Sequence, residues 1–133
     1  MAQTHDTYTV KLKQSHLNWG EHRYTQSREP ILGEGYIPIP REYAVRYNIF
    51  NSNNPQIGFG FNKFYATSND GFLQNVILLA QGSSEAGDIY AKQFSVEGDL
   101  SIIGSWYSFR NATTENSVVV TWVNSTHITL DII

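Results

Sequence analysis

Apolar and polar residues alternate in short runs along this chain, and Gly, Asn and Ser interrupt the runs at close intervals. Residues 7–13 (TYTVKLK) set Tyr8, Val10 and Leu12 on one side and Thr and Lys on the other, the period-two signature of a half-buried strand. Residues 58–66 alternate Phe59, Phe61 and Lys63 against small residues and Asn, then end in Phe64-Tyr65, and predict another strand. A largely apolar run predicts a strand over 73–80, and 88–94 reads as another. Between 66 and 73, Asn69-Asp70-Gly71 predicts a tight turn, because Asp-Gly suits the positive φ that hairpin turns require. Residues 118–123 and 127–133 predict a closing hairpin around Asn124-Ser125-Thr126.

Two segments read as short helices. In 38–47 a proline occupies a first-turn position, Tyr43, Ala44 and Tyr47 share a face, and Asn48 is placed to stop the helix. Residues 99–109 predict the second, interrupted by Gly104. The pattern is that of a mainly β domain with about seven strands. Its expected core holds Tyr43, Ala44 and Tyr47, with Phe59, Phe61, Trp106 and Trp122 in or near the interior.

Length and composition agree with that picture. A chain of 133 residues is one domain's length, and 41% hydrophobic content with 14% aromatics is enough for a sizeable core. The chain has no Cys, which excludes disulfides, thiol nucleophiles and thiolate metal sites. The first residues lack an apolar signal-peptide core, and the longest apolar run, 76–80, is far shorter than the roughly 20 residues a membrane helix needs. A cytoplasmic protein without membrane contact is the expectation. The net charge of −3 is unevenly placed: residues 1–66 carry +2 and residues 67–133 carry −5. The whole chain would not seek a polyanion, but one face of its first half could.

Enzyme signatures do not appear. There is no G-x-S-x-G elbow, no phosphate loop and no H-E-x-x-H. The histidines at 5, 16, 22 and 127 have no ligand spacing, and the acidic residues form no D-x-D pair. No catalytic residue, metal site or cofactor is predicted. Asp88 and Lys92, four apart in a predicted strand, read as a surface pair. The Asn-x-Thr patterns at Asn111 and Asn124 read as turn chemistry.

The most informative stretch is 14–47. Its first half is rich in hydrogen-bonding groups with two interleaved aromatics: His16, Asn18, Trp19, His22, Arg23, Tyr24, Gln26 and Arg28. Arg presents a fork that matches guanine O6 and N7, and Asn and Gln match adenine. Composition alone favours an ordinary solvated loop anchored by Trp19. The residues that follow change this. Gly35-Tyr36-Ile37-Pro38-Ile39-Pro40-Arg41-Glu42-Tyr43-Ala44-Val45-Arg46-Tyr47 resembles the signature of the plant B-three DNA-binding domain. There a short strand enters an Ile-Pro step and a helix carrying a basic residue, an aromatic or His, Ala, and a later Lys-Tyr or Arg-Tyr. Lys92-Gln93-Phe94, Gly98-Asp99-Leu100, Trp106, Phe109 and the run 118–123 look like that family's late strand, helix and closing strands. Similar domains serve as target-recognition domains in bacterial restriction endonucleases. Thr114-Glu115-Asn116-Ser117 stands where the family usually has Gly-Asp, and the acidic second half departs from a plant transcription factor.

The resemblance implies a single open seven-stranded pseudobarrel over residues 1–133 with two short helices. It also implies a wrench-like grip on the major groove of double-stranded DNA. The N-arm would span 15–28 and the C-arm 81–92. Base reading would fall to His16, Asn18, Trp19, His22, Arg23, Tyr24, Gln26 and Arg28, and to Gln81, Ser83, Ser84 and Lys92. Phosphate contacts would come from Lys11, Lys13, Arg41, Arg46 and Lys63. Glu85 and Asp88 would repel phosphate but can accept from cytosine N4; a plain hairpin end is the alternative for that loop. The expected function is sequence-specific binding, as the recognition part of a restriction-type endonuclease, without catalysis by this chain. The expected partners are DNA and a nuclease domain or subunit. A carbohydrate-binding β-domain is the alternative, since exposed Trp and Tyr beside Asn and Gln suit sugars.

Overall fold

The computed structural model describes residues 1–17, 34–82 and 88–133. Seven strands form one sheet: β1 (Thr7–Lys11), β2 (Ile37–Pro38), β3 (Lys63–Ser68), β4 (Val76–Gln81), β5 (Gln93–Val96), β6 (Ser117–Asn124) and β7 (His127–Ile132). Among the described residues there are three helices: α1 (Gln14–Leu17), α2 (Arg41–Tyr47) and α3 (Ile102–Phe109). The strand order is β1-β6-β7-β3-β4-β5-β2, antiparallel except for the β3–β7 pair. The two edge strands approach each other, and Tyr8 Oη on β1 donates to the Pro38 carbonyl on β2 at 3.0 Å. The sheet is therefore a nearly closed, mainly β pseudobarrel, as expected.

The interior follows from the alternation. Tyr8 points inward from β1, Phe64 and Ala66 from β3, Leu78 and Ala80 from β4, Val118, Val120 and Trp122 from β6, and Ile128 and Leu130 from β7. Each large apolar side chain buried this way contributes about 1.5–3 kcal/mol. Trp106 and Trp122 are both fully buried, as their strand and helix phases predict.

Each end of the barrel is covered by a helix. α2 is flanked by Pro40 at its N-cap, whose fixed φ of −59° suits a helix entry, and by Asn48 at its C-cap, which takes the left-handed conformation at φ 55°. Ala44 is buried, and Tyr43 and Tyr47 pack against the core with Tyr43 stacked on Tyr8 (centroids 5.3 Å apart). α3 covers the other end. Gly104 lies so close to the chain entering β2 that a Cβ on Gly35 would come within 2.9 Å of it. The close approach of the two backbones thus requires the glycine at 35.

Several boundaries differ from the sequence expectations. The strand expected over 58–66 begins at Lys63, because Gly58 (φ 113°) and Gly60 (φ 90°) turn the chain and Asn62 Oδ1 accepts the Gly58 N–H (2.6 Å). The alternation of Phe59 and Phe61 therefore belongs to a turn. Phe59 is 38% exposed and stacks on Tyr65, Phe61 is half-buried, and Phe64 is the inward ring. The strand expected over 88–94 starts at Gln93 instead; before it, Tyr90 makes a single bridge to Phe50. The strand expected from 73 starts at Val76, after Asn75 at φ 51°. α1 interrupts what the polar composition suggested was a continuous arm. Its turn is nucleated locally, since the backbone N–H groups of His16 and Leu17 both donate to the Lys13 carbonyl. No described helix is long and apolar enough to cross a membrane.

Candidate nucleic-acid interface

The first expected arm begins at α1. His16 Nδ1 accepts the Lys13 backbone N–H (2.9 Å), and the His16 carbonyl accepts the Tyr36 N–H (3.2 Å). Burial, and then the nearby Lys13 charge, lower the His16 pKa. The neutral ring, with Nδ1 occupied as an acceptor, carries its proton on Nε2 and is a donor there. The second expected arm ends at β5. Lys92 is exposed, its N–H donates to the Gln81 carbonyl, and its carbonyl accepts the Ile39 N–H (2.9 and 2.8 Å).

These two places meet. A cavity of about 110 Å³ is lined by Ser15 and His16 from α1, Tyr36 and Pro38 at β2, and Lys92 and Gln93 at the start of β5. Tyr36 and Pro38 offer apolar ring surface; Ser15, His16, Lys92 and Gln93 offer hydrogen-bond donors. Lys92 is the charged residue of this lining, and Tyr36 Oη donates to the buried Glu34 carboxylate behind it. A larger, more open cavity of about 400 Å³ lies between α1 and the end of α3, lined by Gln14, Leu17, Tyr107, Ser108, Asn111, Ala112, Thr113 and Thr114. This lining has no charged side chain and gives a polyanion no electrostatic hold.

Of the expected base-reading residues, His16 and Lys92 share the smaller cavity. Gln81 is tied into the sheet, where its amide donates to Ser95 Oγ (3.0 Å). Asn18, Trp19, His22, Arg23, Tyr24, Gln26, Arg28, Ser83 and Ser84 lie outside the described residues. Gln93 and Tyr36 were missed as site residues. Gln93 sits beside the last residue of the Lys-Gln-Phe run, but its facing depends on a strand start that the sequence put several residues earlier.

The expected phosphate-binding cations differ in their surroundings. Lys11 and Lys13 are exposed on either side of buried Leu12. Arg41 pairs with Asp88 (2.9 Å) and lies over the Tyr90 ring (5.6 Å to its centroid), while its side chain stays 64% exposed. Arg46 lies over the Tyr43 ring at 5.3 Å. Lys63 pairs with Glu97 at 3.2 Å on the outer face of the sheet. Asp88, expected to share a strand face with Lys92, instead serves Arg41 and accepts the Tyr90 N–H (3.1 Å). Among the described residues no group of three or more His, Asp or Glu is arranged to hold a metal ion.

No family model matches the chain, and no curated protein matches it in sequence. A solved structure of a hypothetical Arabidopsis thaliana protein is similar in fold, with a TM-score of 0.54 at 8% identity over 100% of this chain and 94% of that one. At that identity the likeness is one of fold: a mainly β, nearly closed seven-stranded barrel.

Proposed function

We propose that this chain binds double-stranded DNA sequence-specifically as a B-three-like recognition domain, and that it is the target-reading part of a restriction-type endonuclease. The observation that carries this reading is the donor-lined cavity where the start of one arm (Ser15, His16) and the end of the other (Lys92, Gln93) converge. Two reading elements separated by more than fifty residues can act on one groove only if their roots stand together. Lys11 at the end of β1 and Lys13 just before α1, both exposed, supply backbone-directed charge beside that point.

Selection from random duplexes, followed by titration at two salt concentrations, tests the proposal. A preferred site should be bound at least about 10³-fold tighter than random DNA at physiological salt. Affinity should fall steeply with salt as counterions are released. No enriched motif, with millimolar affinity throughout, would sink it. Cleavage is assigned to another domain or chain, so supercoiled plasmid incubated with Mg²⁺ and this protein should stay intact. Nicking that disappears on mutating a residue of this chain would overturn that assignment.

A carbohydrate reading draws on a different place. Phe59, Tyr65 and His127 form a column of rings on the outer wall, with successive centroids 4.5 and 5.0 Å apart. Binding there would barely respond to salt, and Phe59→Ala would remove it.

A further inference from the structure

Asn51 belongs to a polar run, Asn51-Ser52-Asn53-Asn54-Pro55, that reads as plain loop. Its side chain is nevertheless buried, with the residue only 3% exposed. The carboxamide nitrogen lies 3.1, 2.9 and 3.3 Å from the carbonyl oxygens of Gly82, Asp88 and Tyr90. A carboxamide has two hydrogens, so these three acceptors share them. Oδ1 accepts the Asn53 N–H (2.9 Å), which fixes the orientation of the amide. The backbone adds to the grip: Asn51 N–H donates to Ile89 and Ala91 N–H donates to Ile49 (2.9 and 3.0 Å).

The acceptors stand on both sides of the 81–92 loop. β4 ends at Gln81 and β5 starts only at Gln93, so the carbonyls at 82, 88 and 90 are not served by the β4–β5 ladder. Asn51 replaces that ladder from the side. The departure of the loop is also constrained. Gly82 has φ +104°, and a Cβ there would come within 2.9 Å of Gln93 Oε1. On the outside, Asn53 Nδ2 donates to the Asp88 carbonyl (3.1 Å).

We infer that Asn51 is the positioning residue of the 81–92 loop: it sets where both ends of the loop stand, and thereby which base pairs the loop meets. The inference rests on the duplex-DNA reading above. Base-edge hydrogen bonds tolerate displacements of about half an ångström, so a buried three-way anchor at the loop's root controls reading without touching DNA.

The test uses the full chain and Asn51→Asp, which keeps the shape and the Oδ1 acceptor but turns an oxygen toward three carbonyls. Wild type and variant are titrated against the preferred duplex and each of its single-base-pair variants, at two salt concentrations. The expected result is a loss of discrimination of about tenfold at one contiguous group of base pairs, with the others and the salt slope unchanged. A uniform loss of affinity with the preference intact overturns the inference and leaves Asn51 a structural residue. If Asn51→Asp does not fold by circular dichroism, Asn53→Ala decides: losing its one bond to Asp88 should relax one contiguous group by about threefold. No positional change in that variant overturns the inference as well. A wild-type protein that enriches no motif brings down the DNA reading itself, an outcome distinct from a motif that survives substitution of Asn51.

Discussion

The two ends of the barrel are held by different physics, and the two buried tryptophans show it. At the α2 end, Trp122 is surrounded by rings: Tyr8, Tyr47 and Phe64 have centroids 6.2, 5.6 and 5.8 Å away. Its indole Nε1 has no hydrogen-bond partner among the described residues. At the α3 end, Trp106 Nε1 donates to Asp70 at 2.8 Å. Asp70 also accepts from Ser68 Oγ (2.5 Å), the Phe72 N–H (2.9 Å) and Arg110 (2.7 Å), and Arg110 continues to the Ile132 carbonyl (2.9 Å). One end is closed by shape and the other by a carboxylate. Each end also braces one arm. α2 and the segment after it hold the root of the 81–92 loop through Arg41 and Asn51. α3 holds the entry to β2 beside His16, where Tyr107 Oη donates to the Tyr36 carbonyl (2.6 Å). The two proposed reading elements are thus tied to different kinds of contact.

The harshest way to break this contrast is Trp122→Ala. The fully buried indole fills the ring-lined end, so its removal leaves a cavity, and the cost should be about 3–5 kcal/mol by chemical denaturation. A loss below about 1.5 kcal/mol would show that the end collapses around the gap.

Asp70→Ala should cost about 1.5–3 kcal/mol, because Trp106 and Arg110 lose a charged acceptor that is largely covered. The pH dependence gives a cleaner reading. Burial pushes the Asp70 pKa up, but the hydrogen bonds from Ser68, Arg110, the Phe72 N–H and Trp106 outweigh it and hold the carboxyl well below the usual carboxylate range. A carboxylate depressed in the folded state contributes stability that is fully present above its unfolded pKa of about 3.9 and is lost as pH falls below it. Wild-type stability, measured as the urea midpoint, should therefore decline below about pH 4 more steeply than that of Asp70→Ala. Parallel curves would remove the carboxylate from its role. The paired substitutions to Phe sharpen the same contrast. Trp122→Phe gives up ring volume and an unpartnered N–H and should cost under about 1.5 kcal/mol. Trp106→Phe also gives up the bond to Asp70 and should cost about 1 kcal/mol more.

Much of this frame was legible in the chain, and the illegible parts have specific causes. Tyr8, Val120 and Trp122 point inward because strict alternation over long strands admits one phase. Asn48 ends α2 because it takes a left-handed conformation cheaply. Phe59 was misplaced because alternation across two glycines looks the same in a turn as in a strand. The start of β5 was misjudged because 88–92 has strand composition, whereas its carbonyl partners come from Asn51, far off in sequence. The candidate site was legible in outline, through His16 and Lys92. The convergence of α1 with β5 depends on barrel closure, which no local window contains. Asp70 looked like a turn residue and is one, since the Gly71 N–H donates to the Ser68 carbonyl (3.0 Å). Its service to a helix some forty residues later left no local mark.

The smallest expected effect on stability carries the most information about function. Arg41 was expected from the resemblance to hold phosphate, yet it is also joined to the loop root through Asp88. The Arg41 side of that ion pair is 64% exposed, so Arg41→Ala should change stability by less than about 1 kcal/mol. Lys13→Ala is the natural comparison, since Lys13 is exposed on the other arm's approach. Lys13→Ala should weaken binding to every duplex alike and lower the salt slope by about one, as a pure phosphate contact does. Arg41→Ala should lower the salt slope less and instead relax the choice at base pairs met by the 81–92 loop, because Asp88 loses its outer brace there. Titrating both variants against the preferred duplex and its single-base variants at two salt concentrations separates the roles. Identical behaviour of the two would return Arg41 to the phosphate set and leave the root of that loop to Asn51 and Asn53.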